Sequence, residues 1–255
     1  MRHTSHSRLG RAALPAVVFM LSACAGAGPD ASFEARDPYR STNERIHNFN
    51  VGADRFVLRP VAQAYDTVTP TLVQFLLSNA FNHLDTMNDF TNYVLQGDLE
   101  GAGTALGRFT MNTVLGAGGF LDPATEFGLP KEDTDFGVTL GKYGVSEGAY
   151  LVLPLLGPST TRDLGGAAGD MAMNPLTYTG VFNSDALNIF SPAANGVELV
   201  NDRARNADVI DEVLYNSENS YVSLRTIYLQ RRDALILGDE ADDSLPDIFD
   251  EEPTN

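Results

Sequence analysis

The sequence is poor in the residues most often used for chemistry. It holds one cysteine and four histidines in 255 residues. A single cysteine excludes an intramolecular disulfide and any cysteine-rich metal site. Only His47 and His83 lie beyond the first 23 residues. Histidine metal ligation and Ser-His or Cys-His catalysis therefore have little to work with, and no metal or cofactor is expected. Bases are also scarce, with 17 Lys plus Arg against 34 Asp plus Glu and a formal charge of −17. That balance argues against nucleic acid as a partner, which needs a basic face, and against a polybasic grip on anionic lipid. No segment past the start reaches 18 apolar residues, so no spanning helix is expected. Alternating strands are too few for a closed membrane barrel. What remains is 43% hydrophobic and 20% charged, enough for a globular core. The length fits one compact domain, or two small ones at most.

The start is a leader. Arg2, Arg8 and Arg11 precede the short apolar run Ala12–Ala23, which is too short to cross a bilayer. It ends in Leu21-Ser22-Ala23-Cys24, which resembles a bacterial lipobox. Cleavage would precede Cys24, and the only thiol in the chain would carry the lipid anchor. Several acyl chains, each burying about 0.8 kcal/mol per CH₂, make such anchoring close to permanent. Ala25, rather than Asp, follows the cysteine, which in lipoproteins generally permits sorting to the outer membrane. Residues 1–23 are thus read as a lipoprotein signal peptide and 24–36 as a flexible tether. The folded domain is expected over 37–238. Residues 239–255 carry eight acids and no base and read as a disordered acidic tail. A calcium loop there lacks the central glycine.

The domain is mainly α by periodicity. Ser41-x-x-Glu44 has capping-box spacing. Ile46, Phe49, Ala53, Phe56 or Val57, and Val61 recur at helical spacing, with Pro60 bending or ending that helix. Leu84, Met87, Phe90 and Val94 form a second stripe closed by Gly97. Leu99, Ala102, Leu106, Phe109 and Thr113 form a third, closed by Gly116. Residues 116–170 are dense in Gly and Pro and read as turns, short strands and a hairpin around Tyr150–Leu156. Helical pattern returns over Val197–Leu214, breaks at Asn216–Ser220, and resumes from Tyr221 to about Leu237. The wide apolar faces fit packing in a soluble core, which periodicity alone favours. The same faces would suit helices lying in a membrane interface. Both bury the same stripe.

The usual catalytic signatures fail. Gly101-Ala102-Gly103 is followed by Leu106 where a dinucleotide loop needs Gly. Gly137–Lys142 has the wrong spacing for a P-loop, with Tyr143 in place of Ser or Thr. Gly157-Pro158-Ser159 is followed by Thr161 rather than the Gly of a nucleophile elbow. His47 and His83 sit in helical stretches and read as structural hydrogen-bonders. The Asp pairs that stand out lie in the tail, where nothing would shift a pKa. The chain reads as a non-enzyme.

An ordered series of motifs carries a resemblance. It runs from Leu58-Arg59-Pro60-Val61-Ala62, Tyr65 and Val68-Thr69-Pro70 to Ser78-Asn79, Phe81-Asn82 and Leu95-Gln96-Gly97. Arg108-Phe109, Asn112-Thr113 and Gly119-Phe120-Leu121-Asp122-Pro123 follow. The densest part is Asp135-Phe136-Gly137, Tyr143-Gly144-Val145, Tyr150–Ser159 and Arg162-Asp163, with Tyr221, Arg225, Tyr228 and Gln230-Arg231 near the end. Over residues 37–235 or so this resembles the MlaA (VacJ) family of outer-membrane lipoproteins. The resemblance implies a single ring-like domain of amphipathic helices with a Gly/Pro-rich hairpin insertion, seated in the inner leaflet of the outer membrane. It implies an amphipathic pore that removes mislocalised phospholipid from the outer leaflet. The implied partners are a porin trimer and a soluble periplasmic lipid carrier. Gly144 and Gly148 match a glycine-rich hairpin beside the pore, although Ser146 and Ala149 depart from its usual pattern. Asn48-Phe49-Asn50 match a pore-proximal helix, with Phe49 expected in the core. Tyr221, Arg225, Tyr228 and Arg232 share one helical face, which could meet headgroups or be held by acids. The alternative function is an adaptor lipoprotein that organises porins without moving lipid.

Overall fold

The computed structural model describes residues 36–173 and 185–238, with only the helical backbone given for 185–194. The leader, Cys24, most of the tether and the acidic tail lie outside the described residues. Arg36, expected at the end of the tether, is instead buried and paired with Glu147.

The chain enters as α1 (Arg40–Ala53), passes through a π-helical turn (Asp54–Leu58) and continues as α2 (Arg59–Val68). Pro60 therefore does not end the helix. The π-turn breaks the ordinary i−4 ladder just where the proline ring would clash and its missing N–H would be felt, with the Arg59 N–H reaching the Asp54 carbonyl. Nor is there a capping box. The chain enters α1 from Tyr39, Ser41 lies inside the helix, and Glu44 pairs with Arg40 at 2.9 Å.

Helix α3 (Thr71–Gln96) starts well before the expected stripe and ends at Gly97 in the left-handed conformation. Asp98 caps α4 (Leu99–Val114) by accepting the Gly101 N–H at 2.8 Å. Asp122 and Asp135 likewise cap the short α5 (Pro123–Glu126) and α6 (Phe136–Lys142). The expected hairpin is β1 (Tyr150–Leu153) paired antiparallel with β2 (Gly157–Thr160), Tyr150 opposite Thr160. Then come α7 (Thr161–Met173), α8 (Asp185–Arg205), α9 (Ala207–Asp211), a second π-turn (Glu212–Asn216) and α10 (Ser220–Leu237).

Packing closes on itself. Helix α1 lies on β1, β2 on α10 and α7, and both of those helices on α6. Helix α6 meets α3, α3 meets α8, and α8 meets α2, which returns to α1. Helix α4 lies along α3 outside this circuit. The architecture is mainly helical and ring-like.

The ring is inside out. Among the described residues, 23 polar or charged side chains are buried against ten apolar ones. Four of those ten are alanine and three are tyrosine. Many residues of the expected core stripes point outward, with Phe49 57%, Phe56 79% and Leu99 82% exposed, whereas Ala102 is buried and Ile46 and Phe90 pack on buried residues. Phe49 is thus not core, and the soluble-core reading of these faces is wrong. Interior space is taken by groups that hydrogen-bond across elements. Asn43 shows how. Its amide donates to Asp37 at 2.9 Å and to the Tyr150 carbonyl at 3.0 Å, and accepts the Val152 N–H at 3.0 Å. This one side chain fastens α1 to β1.

Replacing Asn43 by Ala leaves the Tyr150 carbonyl and Val152 amide without that partner in a dry site. Chemical denaturation is expected to show a loss of about 2–4 kcal/mol. Replacement of exposed Asn48 by Ala is expected to change stability by less than about 0.5 kcal/mol.

Candidate functional site

The polar interior is built from helix faces. On α3 the buried residues are Gln74, Asn79, His83, Thr86, Asp89, Asn92 and Tyr93, an almost wholly polar stripe at helical spacing. Opposite stand the side chains of α8, where Asn201 donates to Ser78 and accepts from the Tyr65 hydroxyl, both at 2.8 Å. Asn92 donates to Asp170 at 2.8 Å and accepts from Thr139 at 2.9 Å, joining α3 to α7 and α6. The Asn79 amide reaches the Phe120 carbonyl at 3.0 Å.

Acids from two helices share one space. Asp85 and Asp89 are a turn apart on α3; Glu198 and Asp202 are a turn apart on α8. Burial pushes the Asp89 carboxyl up to about 7, against the Thr134 N–H it accepts at 3.2 Å. Burial raises Asp85 too, and Asp133 and Asp202 add to this against Lys131. Glu198 is raised by burial and then by Asp85 and Asp202. Asp202 is raised by burial, opposed by Arg205 and Lys131. Asp85 and Asp202 nevertheless reach solvent. Asp85, Glu198 and Asp202 thus make an acidic patch between α3 and α8 that water reaches. Sequence reasoning missed these acids. Their signal was the polar stripe opposite the apolar one on α3.

Ionic clusters fasten further elements of the ring. Asp54, at the first π-turn, accepts from Arg203 at 2.8 and 3.1 Å and from the Tyr215 hydroxyl at 2.6 Å. Arg59 reaches Asp211 at 2.6 Å, and Arg203 bonds the same carboxylate. Burial would raise Asp211, but bonds from Arg59 and Arg203 outweigh it and hold the carboxyl low. The two π-turns thus meet through Asp54 and Tyr215. On α10, Tyr221 and Arg225 contact Asp37, Tyr228 donates to Asp163, and Arg232 bonds Asp163 at 2.7 Å and Asp135 at 3.0 Å. This face is held by interior acids and does not meet headgroups.

The expected site residues fall into separate places. Asn48 is exposed and Phe49 joins the outer apolar stripe. Asn50 reaches the hairpin, donating to the Leu153 carbonyl at 2.9 Å and accepting the Leu155 N–H at 2.8 Å. Gly144 and Gly148 lie before the strand pair, in the segment between α6 and β1, with φ of +83° and +73°. Both values need glycine for an unstrained chain. The segment is fastened by Arg36 on Glu147 and by the Thr161 and Arg162 contacts to the Glu147 carbonyl. Asn48–Asn50 and Gly144–Gly148 are therefore not one cluster. Cys24 lies outside the described residues. His47 sits 2.8 Å from the Ser220 hydroxyl, and His83 stacks on Phe109 with ring centres 4.6 Å apart. Burial lowers the pKa of each.

The Asp89 carboxyl titrates near 7 folded and near 3.8 in an unfolded chain. The folded state keeps a proton that the unfolded state releases, so stability falls as pH rises between these values. Asp89→Asn keeps the acceptor for Thr134 and removes that slope. Thermal unfolding of the two proteins is expected to coincide near pH 4 and to diverge toward pH 8 in favour of the variant. Parallel curves across this range would contradict the assignment.

Comparison with known proteins agrees with the geometry. The MlaA lipoprotein family model matches residues 35–235. The chain is similar to the intermembrane phospholipid transport system lipoprotein MlaA of Escherichia coli (strain K12), with 33% identity over 91% of each chain. It is similar to the Haemophilus influenzae protein of the same name, at 33% identity over 84% of this chain and 86% of that one. A solved chain, reported as a structural basis for maintenance of bacterial outer membrane lipid asymmetry, superimposes with a TM-score of 0.68 at 33% identity. It covers 78% of this chain and 98% of its own.

Proposed function

The chain belongs to the MlaA lipoprotein family, and from this we propose that it is the lipoprotein component of an intermembrane phospholipid transport system. It removes mislocalised phospholipid from the outer leaflet and maintains lipid asymmetry. The observation that carries this reading is the inverted ring, with polar groups buried, Phe, Leu and Val outside, and solvent-reached acids on two facing helices that would line the passage. A phospholipid has a charged headgroup and apolar tails. Each half is costly in the other's surroundings. A polar passage inside an apolar rim offers both environments within one molecule.

Lipidation at Cys24 anchors the protein, and its outer faces rest among acyl chains on the periplasmic side of the outer membrane. None of the described helices is long and apolar enough to cross a membrane, which suits seating in a single leaflet. A porin trimer holds the ring in place, and a soluble periplasmic carrier receives the lipid. Gly144 and Gly148 flank a short segment beside the interior whose positive φ angles suit a change of path. Of Asn48, Phe49 and Asn50 on the first helix, Phe49 faces the acyl chains and Asn50 holds the hairpin. The family implies no catalytic step, and transport needs none from these residues.

The test is phospholipid exposed on the cell surface. Deleting the gene and labelling intact cells with an impermeant amine-reactive reagent is expected to raise labelled phospholipid. The native protein is expected to reverse this and Cys24→Ala is not. Unchanged labelling, with the protein folded and correctly located when present, would replace transport by the adaptor reading.

A further inference from the structure

The β1–β2 turn exposes two leucines at a conformational cost. Leu155 has a φ of +64°, a left-handed conformation that a β-carbon disfavours. Its side chain is 67% exposed and that of Leu156 80%, so no core packing offsets the strain. What holds Leu155 there is Asn50, whose amide clasps the turn from both sides, taking the Leu155 N–H and giving to the Leu153 carbonyl. Strain maintained by a buried-side clasp, with apolar side chains sent outward, points to an occupant outside the ring.

Two observations identify its chemistry. In a chain with a net charge of −17, no charged residue occurs from Gly148 to Thr161. A protein partner steered by charge would find nothing here, whereas acyl chains exclude charge. The tip is also tied by Asn50 to the helix that carries part of the outer stripe. Phe49 precedes the clasping Asn50 on α1, and Phe49 and, in the π-turn that follows, Phe56 are both exposed. We propose that Leu155 and Leu156 form a wedge that enters the acyl region of the bilayer, with Asn50 as its positioning residue. The proposal rests on the reading above that the outer stripe meets lipid.

The chain contains no tryptophan, so a single introduced indole reports one place. Full-length Leu156→Trp and, separately, Phe56→Trp would be reconstituted in phosphatidylethanolamine/phosphatidylglycerol vesicles with and without acyl-chain-brominated lipid. Both indoles are expected to shift blue. Each should lose about half its emission to the bromines, since interfacial apolar faces sit roughly 5–10 Å deep. Adding Asn50→Ala is expected to weaken quenching at position 156 while leaving position 56 quenched, which shows that the ring is still folded and seated. Quenching at 56 with a water-exposed indole at 156 would overturn the wedge and leave the membrane reading standing. Quenching at neither position would overturn both. Equal quenching at 156 with and without Asn50 would remove Asn50 from the account.

Discussion

A buried polar group must find a partner, and this ring can exist only because almost all of its interior groups do. Hydrophobic burial is confined to small clusters around Tyr150, Tyr221 and Leu229 and around Tyr93, Ala102 and Ala105, and most buried side chains are polar. Cohesion comes instead from side chains that join two or three elements at once. Asn43 ties α1 to β1, Asn92 ties α3 to α6 and α7, and Arg203 ties α8 to the first π-turn and to α9. Such networks are cooperative, and losing one member leaves the others buried and unpaired. Arg232 illustrates the dependence. Burial opposes its charge, yet Asp135 and Asp163 keep its pKa raised, and both partners sit at the edges of helices that the pairing itself brings together.

That constraint shapes function. Spending polar side chains on the interior sends the apolar ones outward, where water would not tolerate so continuous a surface. A lipid environment removes the conflict. The same division leaves solvent-reached acids on α3 and α8 in a molecule with an apolar exterior. Transport across a membrane face needs both surfaces in one molecule, and no bound nucleotide or reacting group is required to create them.

Much of the fold was legible in the sequence and its polarity was not. The hairpin at Tyr150, the break at Asn216–Ser220, the last helix to Leu237 and the stop at Gly97 all follow from local chemistry, because turns and caps depend on neighbouring residues. Which way a helix faces does not. Phe49, Phe56 and Val61 keep the same spacing whether a stripe meets a core or lipid, so expecting Phe49 in the core was reasonable and incorrect. Ser41 and Glu44 had the spacing of a cap inside a helix that had already begun at Arg40. Pro60 suggested an end that the π-turn absorbs. The acids of α3 were visible only as part of a polar stripe, and their neighbours on α8 lie over a hundred residues away. The family resemblance anticipated outward-facing helices because it carries tertiary information that periodicity lacks.

The central claim is the inversion itself, and lipid-borne carbene labelling tests it most directly. The native protein would be irradiated in membranes holding a phospholipid with a photoreactive acyl chain, then mapped by peptide mass spectrometry. The account predicts adducts on the outer residues Phe56, Val57, Leu72, Leu99 and Val114, and none on Asn43, Asn92 or Asn201. Adducts absent from the outer stripes while lipid-facing porin strands in the same membranes are labelled would contradict it.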